Sequence, residues 1–323
     1  MKKIVAIIMV CLLCLSVVAC TGEKVERVET NIIALKGPTG IGMAKMMEDA
    51  KNEENSKYKF KVAAEPTEVV AAISKKEADI AALPTNLASS LYKKTEKGIK
   101  MIAINTLGSL YILENGNTIN SFSDLKGKTI YATGEGANPE YVLKYLLSKN
   151  GLTVGTDVQI VFKSEHSELA SLLASDEVSI GMLPEPNVTS AMAQNKGLRI
   201  ALNLNDEWDK VADQNSRLTM GCVVVRSEFL EQNPKQVEQF IKELKASITY
   251  ANENAAAAGT LCETHGIVPK AAIATKAIPN CNMTAIVGKD MKTAIAEYYN
   301  VLFNANPKSV GEALPDDAFY YAP

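Results

Sequence analysis

Thr67-Glu68-Val69-Val70-Ala71-Ala72-Ile73, followed by Ile80-Ala81-Ala82-Leu83-Pro84, returns about 100 residues later as Ser167-Glu168-Leu169-Ala170-Ser171-Leu172-Leu173 with Ile180-Gly181-Met182-Leu183-Pro184. The register extends outward with small slips. Ile102-Ala103-Ile104-Asn105 answers to Ile200-Ala201-Leu202-Asn203, and the turn Gly37-Pro38-Thr39-Gly40 answers to Gly134-Glu135-Gly136-Ala137. Solenoid units run at roughly 20 to 50 residues, so this period is too long for a stacked array. It suits two similar α/β lobes, each of small-domain size. Two such lobes enclose a cleft, and interfaces between domains are where small molecules bind.

The order of elements agrees. In the first lobe, strands are expected at 31–35, 57–64, 79–83, 100–105 and 109–113, with helices between them at 42–51, 67–75 and 87–94. Thr67 is placed to cap the second of these helices. This βαβα alternation implies a mainly parallel sheet with helices on its faces. The polar join Ser121–Lys128 is read as the first crossing between lobes. The second lobe then repeats the order, and Asn205–Ser216 reads as a polar connection carrying the only tryptophan, Trp208. Leu218–Val225 is apolar and β-branched, a central strand without a repeat partner, taken as the return crossing. The expected organisation is residues 1–19 as signal peptide, 20–30 as lipidated cysteine and tether, 31–121 as lobe 1, 122–217 as lobe 2, and 218–323 completing lobe 1.

Met1-Lys2-Lys3 is a basic start, and Ile4–Val18 is an apolar run too short for a stable span. It ends Val17-Val18-Ala19-Cys20, the pattern of a bacterial lipobox. Cys20 is therefore expected to be the acylated (diacylglyceryl, palmitate-type) N-terminus, holding the protein on the outer face of a membrane. The chain has 323 residues, six cysteines and a net charge of −3, with no basic run interleaved with aromatics, so nucleic acid is not an expected partner. Cys222 lies in an apolar run and reads as a small buried hydrophobe. Cys262 and Cys281 fall in a loop-rich stretch of an exported chain, where a disulfide between them is permitted and expected.

In a parallel α/β sheet, ligands sit beyond the carboxyl ends of the strands, where free N–H groups at helix starts favour acceptor or anionic groups. The matching loops are 36–42, 65–67, 84–86, 134–138, 165–167 and 184–187. Gly37–Gly42 lacks the Gly-Lys-Ser/Thr ending of a phosphate loop, and Gly134–Pro139 lacks the third glycine of a dinucleotide fingerprint. The two histidines, His166 and His265, stand in no zinc-site spacing, and no Gly-x-Ser-x-Gly elbow occurs. No metal, cofactor or catalytic residue is expected. Glu185, held between Pro184 and Pro186, could accept a hydrogen bond from an amine or aminopyrimidine.

These residues carry a resemblance. The lipobox, the strand end Ala34-Leu-Lys-Gly-Pro-Thr-Gly-Ile-Gly42, the run Asp79-Ile-Ala-Ala-Leu-Pro-Thr-Asn86, the join Phe122-Ser-Asp-Leu-Lys-Gly-Lys-Thr129, and Tyr131-Ala-Thr-Gly-Glu-Gly-Ala-Asn-Pro139 are similar to the extracytoplasmic solute-binding lipoproteins of ABC importers. The class is the one handling nitrate, sulfonates, taurine and thiamine pyrimidine precursors, and the likeness spans residues 30–323. It implies a type II periplasmic-binding-protein-like fold, two α/β lobes joined by two hinge crossings. It implies a binding protein, not an enzyme, that closes on one small solute and delivers it to an ABC permease and its ATPase. A monomer is expected. Family binding positions fall on Pro38, Thr39, Gly40, Thr85, Asn86, Gly134, Gly136, Asn138 and Glu185. A lyase or dehydratase on the same fold, or a sensory receptor, are the alternatives. Only Lys36 and Lys163 offer cations in the cleft loops, which favours a heterocycle or weakly charged solute over an oxyanion. Thr39, Asn86, Asn138 and Glu185, two from each lobe, are expected to converge on one molecule. In that arrangement Thr39 and Asn138 donate, Asn86 reads a polar edge and Glu185 accepts.

Overall fold

The computed structural model describes residues 27–54 and 56–323. The expected signal peptide and lipidated Cys20 lie outside the described residues. In the first lobe, β1 spans Thr30–Leu35, β2 Tyr58–Ala63, β3 Ile80–Pro84 and β4 Ile99–Leu107. In the second lie β5 (Leu110–Asn115), β6 (Thr129–Thr133), β7 (Gln159–Lys163), β8 (Ile180–Pro184) and β9 (Leu198–Asn203). Two further strands, β10 (Thr219–Arg226) and β11 (Met283–Ile286), return to the first. The six-stranded sheet runs β11-β4-β10-β3-β1-β2 and the five-stranded sheet β7-β6-β8-β5-β9.

Aligned strand by strand, the two orders are the same: β2-β1-β3-β10-β4 against β7-β6-β8-β5-β9. In each, the fourth strand is antiparallel to both neighbours and has just crossed from the other lobe. The repeat therefore reaches further than its sequence trace. β10 does have a counterpart, β5, which the pattern hid because helix Leu204–Val211 intervenes before β10, whereas only Gly108 and Ser109 separate β4 from β5. Backbone geometry also repeats. Glu65 and Glu165 precede their helices at φ/ψ of −119°/142° and −120°/140°, and Lys76 and Asp176 close them at φ 61° and 62°.

Four expectations are corrected. The first crossing lies at Gly108, not at Ser121–Lys128, because Leu110–Asn115 pairs with β8 and β9 in the second sheet. The lobes thus divide near residue 108 instead of 121. The helix expected from 67 begins at Pro66, with Glu65 at its cap and no side-chain cap bond, since proline at the first turn presets φ where no N–H partner is needed. The helix expected over 42–51 forms over Ala44–Asn52, but the stretch 36–42 expected as a loop holds a short helix of its own, Pro38–Ile41. The connection carrying Trp208 is in part a helix, capped by the Asn203 side chain, whose apolar edge buries Trp208 completely against Tyr145 and Tyr298.

The expected disulfide is also absent. Cys262 and Cys281 are free, fully buried thiols in one apolar cluster behind the first sheet, filling space as small hydrophobes do. Cys222 is likewise buried, on β10. Burial pushes the Cys262 thiol up to about 12, so the thiolate needed for exchange is scarce. Alkylation under denaturing, non-reducing conditions should label both Cys262 and Cys281. A peptide pair joined through them would contradict this arrangement.

Candidate functional site

The carboxyl ends of β1, β3, β6 and β8 meet at the seam between lobes. After β1, Pro38 opens the short helix Pro38–Ile41, and Gly40 packs so closely that a Cβ there would lie 2.1 Å from the Leu35 carbonyl oxygen. Thr39 is buried, its carbonyl accepting from Asn105 Nδ2 at 2.9 Å. Its methyl rests on Gly221 of β10, where a Cβ would come within 2.2 Å. Any larger residue at 221 would push Thr39 off the strand.

After β3, Thr85 is engaged within its own lobe. Its Oγ1 donates to the Thr219 carbonyl at 2.7 Å, and its carbonyl accepts from Tyr299 Oη at 2.8 Å. Asn86 faces outward across the seam. Its Nδ2 donates to the Ser309 carbonyl at 3.3 Å and its Oδ1 accepts from Asn138 Nδ2 at 2.9 Å. The lobes are thus tied directly through two of the four residues expected to converge.

The loop after β6 turns through Gly134 (φ 79°) and Gly136 (φ 69°). The Gly136 N–H is engaged by Glu140 Oε2 at 2.6 Å and its carbonyl by Tyr141 Oη at 2.8 Å, so this loop is braced by its own helix. Nearby, Thr133 Oγ1 and His166 Nδ1 are 2.7 Å apart. Desolvation holds the His166 imidazole below its ordinary pKa, against the pull of Glu165 and of Glu65 in the other lobe. Lys163 pairs with Glu168 at 3.5 Å, and Lys36 is exposed.

Glu185 departs most from its expected role. It is 2% exposed, and its carboxylate is occupied: Oε2 accepts from the Thr189 N–H at 3.1 Å, and Oε1 accepts from Thr189 Oγ1 at 2.9 Å and from Asn280 Nδ2 at 3.2 Å. Asn280 belongs to the first lobe, and its carbonyl accepts from Tyr111 Oη on β5 at 2.6 Å. Glu185 therefore joins lobe to lobe instead of presenting a free acceptor. Asn280, Tyr111 and Tyr298 are seam residues that the sequence did not single out. Asn280 lies 95 positions from Glu185, and no local pattern marks such a pairing.

Two equivalent sheets with their carboxyl ends facing one seam define a two-lobed periplasmic-binding-type protein. The chain belongs to the NMT1/THI5-like family, whose profile matches residues 53–258. Among solved structures it is similar to an ABC transporter protein from Parabacteroides distasonis, at 25% identity and TM-score 0.76, covering 91% of this chain and 99% of that one. The same fold is seen in the periplasmic aliphatic sulphonate binding protein SsuA from Escherichia coli (16% identity, TM-score 0.68, covering 91% and 92%). It recurs in the alkanesulfonate-binding protein SsuA from Xanthomonas axonopodis pv. citri bound to MOPS (15%, 0.61, covering 90% and 96%). No curated protein matches the sequence. Among the described residues, no helix is long and apolar enough to cross a membrane.

Burial raises the Glu185 pKa above 4.5, outweighing the bonds from Thr189 and Asn280 that lower it. A carboxyl with a raised native pKa binds its proton more tightly when folded. The unfolded chain gives up that proton first, so this group's contribution to stability declines as pH rises through the unfolded value and levels off above the native one. Glu185→Gln should remove that decline. Urea unfolding at a series of pH values from 4 upward should show the wild type losing ground to the variant, and parallel curves would contradict a raised native pKa.

Proposed function

We propose that this protein is the extracytoplasmic solute-binding component of an ABC importer, tethered through a lipid on Cys20, which captures a small organic solute between its lobes and presents it to the permease. The observation that carries this reading is the seam, where equivalent loops from two equivalent sheets face each other and Asn86 meets Asn138. A ligand that bridges such lobes favours the closed state by its differential affinity for it. The family and the likeness to a protein described as an ABC transporter support the same reading. Pro38, Thr39, Gly40, Thr85, Asn86, Gly134, Gly136 and Asn138 frame the solute, Thr39, Asn86 and Asn138 supplying side chains. Glu185 holds the seam behind them. The protein works as a monomer. It acts by binding alone, and two titratable groups at the seam, His166 and Glu185, are already engaged with Thr133, Thr189 and Asn280.

Trp208 meets Tyr298 edge to face, ring centroids 5.9 Å apart, and is the chain's one tryptophan, so its fluorescence should report on closure. A bound solute at 100 times its Kd should stabilise the fold by about 2.7 kcal/mol and raise Tm by a few degrees. Aminopyrimidines, sulfonates and flavin-like heterocycles form the first screen. Asn86→Ala and Asn138→Ala should each weaken binding by roughly 5- to 150-fold, the cost of one buried hydrogen-bond partner. Turnover of a bound compound would instead make the protein an enzyme.

Cys20→Ala should leave the protein unacylated, either released from the membrane or with its leader uncleaved. Membrane fractionation with mass spectrometry of the N-terminal peptide reads the outcome. An unmodified wild-type protein free in the medium would contradict the anchor.

A further inference from the structure

The two sheets differ by one strand. β11 extends the first sheet beyond β4, whereas β9, the counterpart of β4, ends the second sheet with no further strand beside it. A cavity of about 310 Å³ lies there, lined by β9, by helix Asn187–Gln194 and the residues that follow it, and, from the first lobe, by Lys276 of helix Ala271–Ala277 and by Asn280. The volume falls at the small end of the range for small-molecule sites. None of the loop residues assigned to the solute lines it.

Its chemistry is one-sided. Met192, Ala193, Leu198 and Ile200 make an apolar floor. Lys196 comes from the second lobe and Lys276 from the first, and no carboxylate lines the cavity. Three other surface cavities each carry two or more carboxylates: Asp49, Glu53 and Glu243 in one, Glu96 and Asp316 in another, Glu228 and Glu231 in the third. Both lysines are exposed, and the Lys196 ammonium donates only to the carbonyl of Met192, at 3.3 Å. Like charges contributed to one cavity by opposite lobes repel, and an anion between them removes that repulsion.

The remaining polar groups are turned away from the cavity's needs. Thr189 Oγ1 and Asn280 Nδ2 both donate to Glu185 Oε1, at 2.9 Å and 3.2 Å. Donors for an anion therefore come from the two exposed ammonium groups, where a charged head keeps its contact with water and avoids the cost of burial. The floor beneath them suits an apolar stem.

We propose that this cavity is a second binding site, for a small carboxylate on a short apolar stem, and that its occupant spans both lobes. The carboxylate sits between Lys196 and Lys276, and the stem lies on Met192, Leu198 and Ile200. The occupant touches the same Thr189 and Asn280 that hold Glu185, so it favours the arrangement of lobes in which that tie is made. The site stands apart from the solute-receptor reading and makes no use of the loops that frame the solute.

The test uses the purified full chain with sodium hexanoate as the probe, acetate as the control for the stem and hexylammonium as the control for charge. Brief lysine acetylation read by mass spectrometry should show saturable protection of both Lys196 and Lys276 by hexanoate, half complete at about 1 mM or below. Lys94, which lines a different cavity, should stay unprotected. Lys196→Gln and Lys276→Gln should each weaken binding by about two- to fivefold, the worth of one exposed ion pair, with the ligand-free Tm unchanged, and Lys276→Arg should retain it. Protection of one lysine alone would overturn the bridge between lobes. Equal protection by acetate or by hexylammonium, binding unaltered in both glutamine variants, or no saturation at all would overturn the site. Each of these results leaves the solute-receptor reading where it stands, because no cleft solute takes part.

Discussion

Everything in this molecule depends on two borrowed strands. β5 completes the second sheet and β10 the first, and each reaches its place only after the chain has crossed from the other lobe. β10 lies between β3 and β4 with Cys222, Val223, Val224 and Val225 fully buried. Its backbone groups have no water to turn to, so they must be paired by those two neighbours. Neither sheet can close without the crossing, and the crossing fixes which ends of the two sheets face each other. The seam is a consequence of that pairing.

The same constraint explains how the lobes communicate. β4 runs into β5 through Gly108 and Ser109, and this short link is braced from outside. Leu107 N–H donates to the Asn282 carbonyl at 3.0 Å, Asn282 donates to the Gly108 carbonyl, and Glu185 N–H donates to the Ser109 carbonyl at 3.0 Å. Helix Asp290–Ala305 adds a second tie. Tyr145 Oη bonds Glu297 at 2.7 Å, and Asn306 Nδ2 bonds Tyr141 Oη at 2.9 Å, both reaching from the carboxyl-terminal region to the second lobe. Relative motion of the lobes must strain or re-form these contacts. The cluster of Trp208, Tyr145 and Tyr298 lies within the largest apolar core, which runs continuously across both lobes.

Polar groups at the seam divide by what they do. Thr85, Gly136 and Glu185 are bound by the protein's own donors and acceptors and give the seam its shape. Asn86 and Asn138 bond to one another across it, and a residue pair that bonds across a closing cleft can be separated by a molecule offering the same groups. A residue type suited to binding is therefore a poor guide to whether its atoms are free. Glu185 has the right chemistry and a fully occupied carboxylate.

The sequence by itself determined the lobes and the loops. A period of about 100 residues, alternating strands and helices, and turn residues after β1, β3, β6 and β8 follow from local propensity and hydrophobic pattern, which are written along the chain. It also placed Asn86 and Asn138 on opposing walls. Only the tertiary structure decided where the chain crosses, because β5 and a strand of the first lobe look alike until their hydrogen-bonded neighbours are known. It decided that Cys262 and Cys281 pack as separate thiols, since spacing carries no information about approach in space. It decided too that Glu185 answers to Asn280 and that Asn280 in turn holds Tyr111. Such pairings join residues far apart in sequence, and what selects them is the closing of buried hydrogen bonds across a seam that exists only once both sheets are complete.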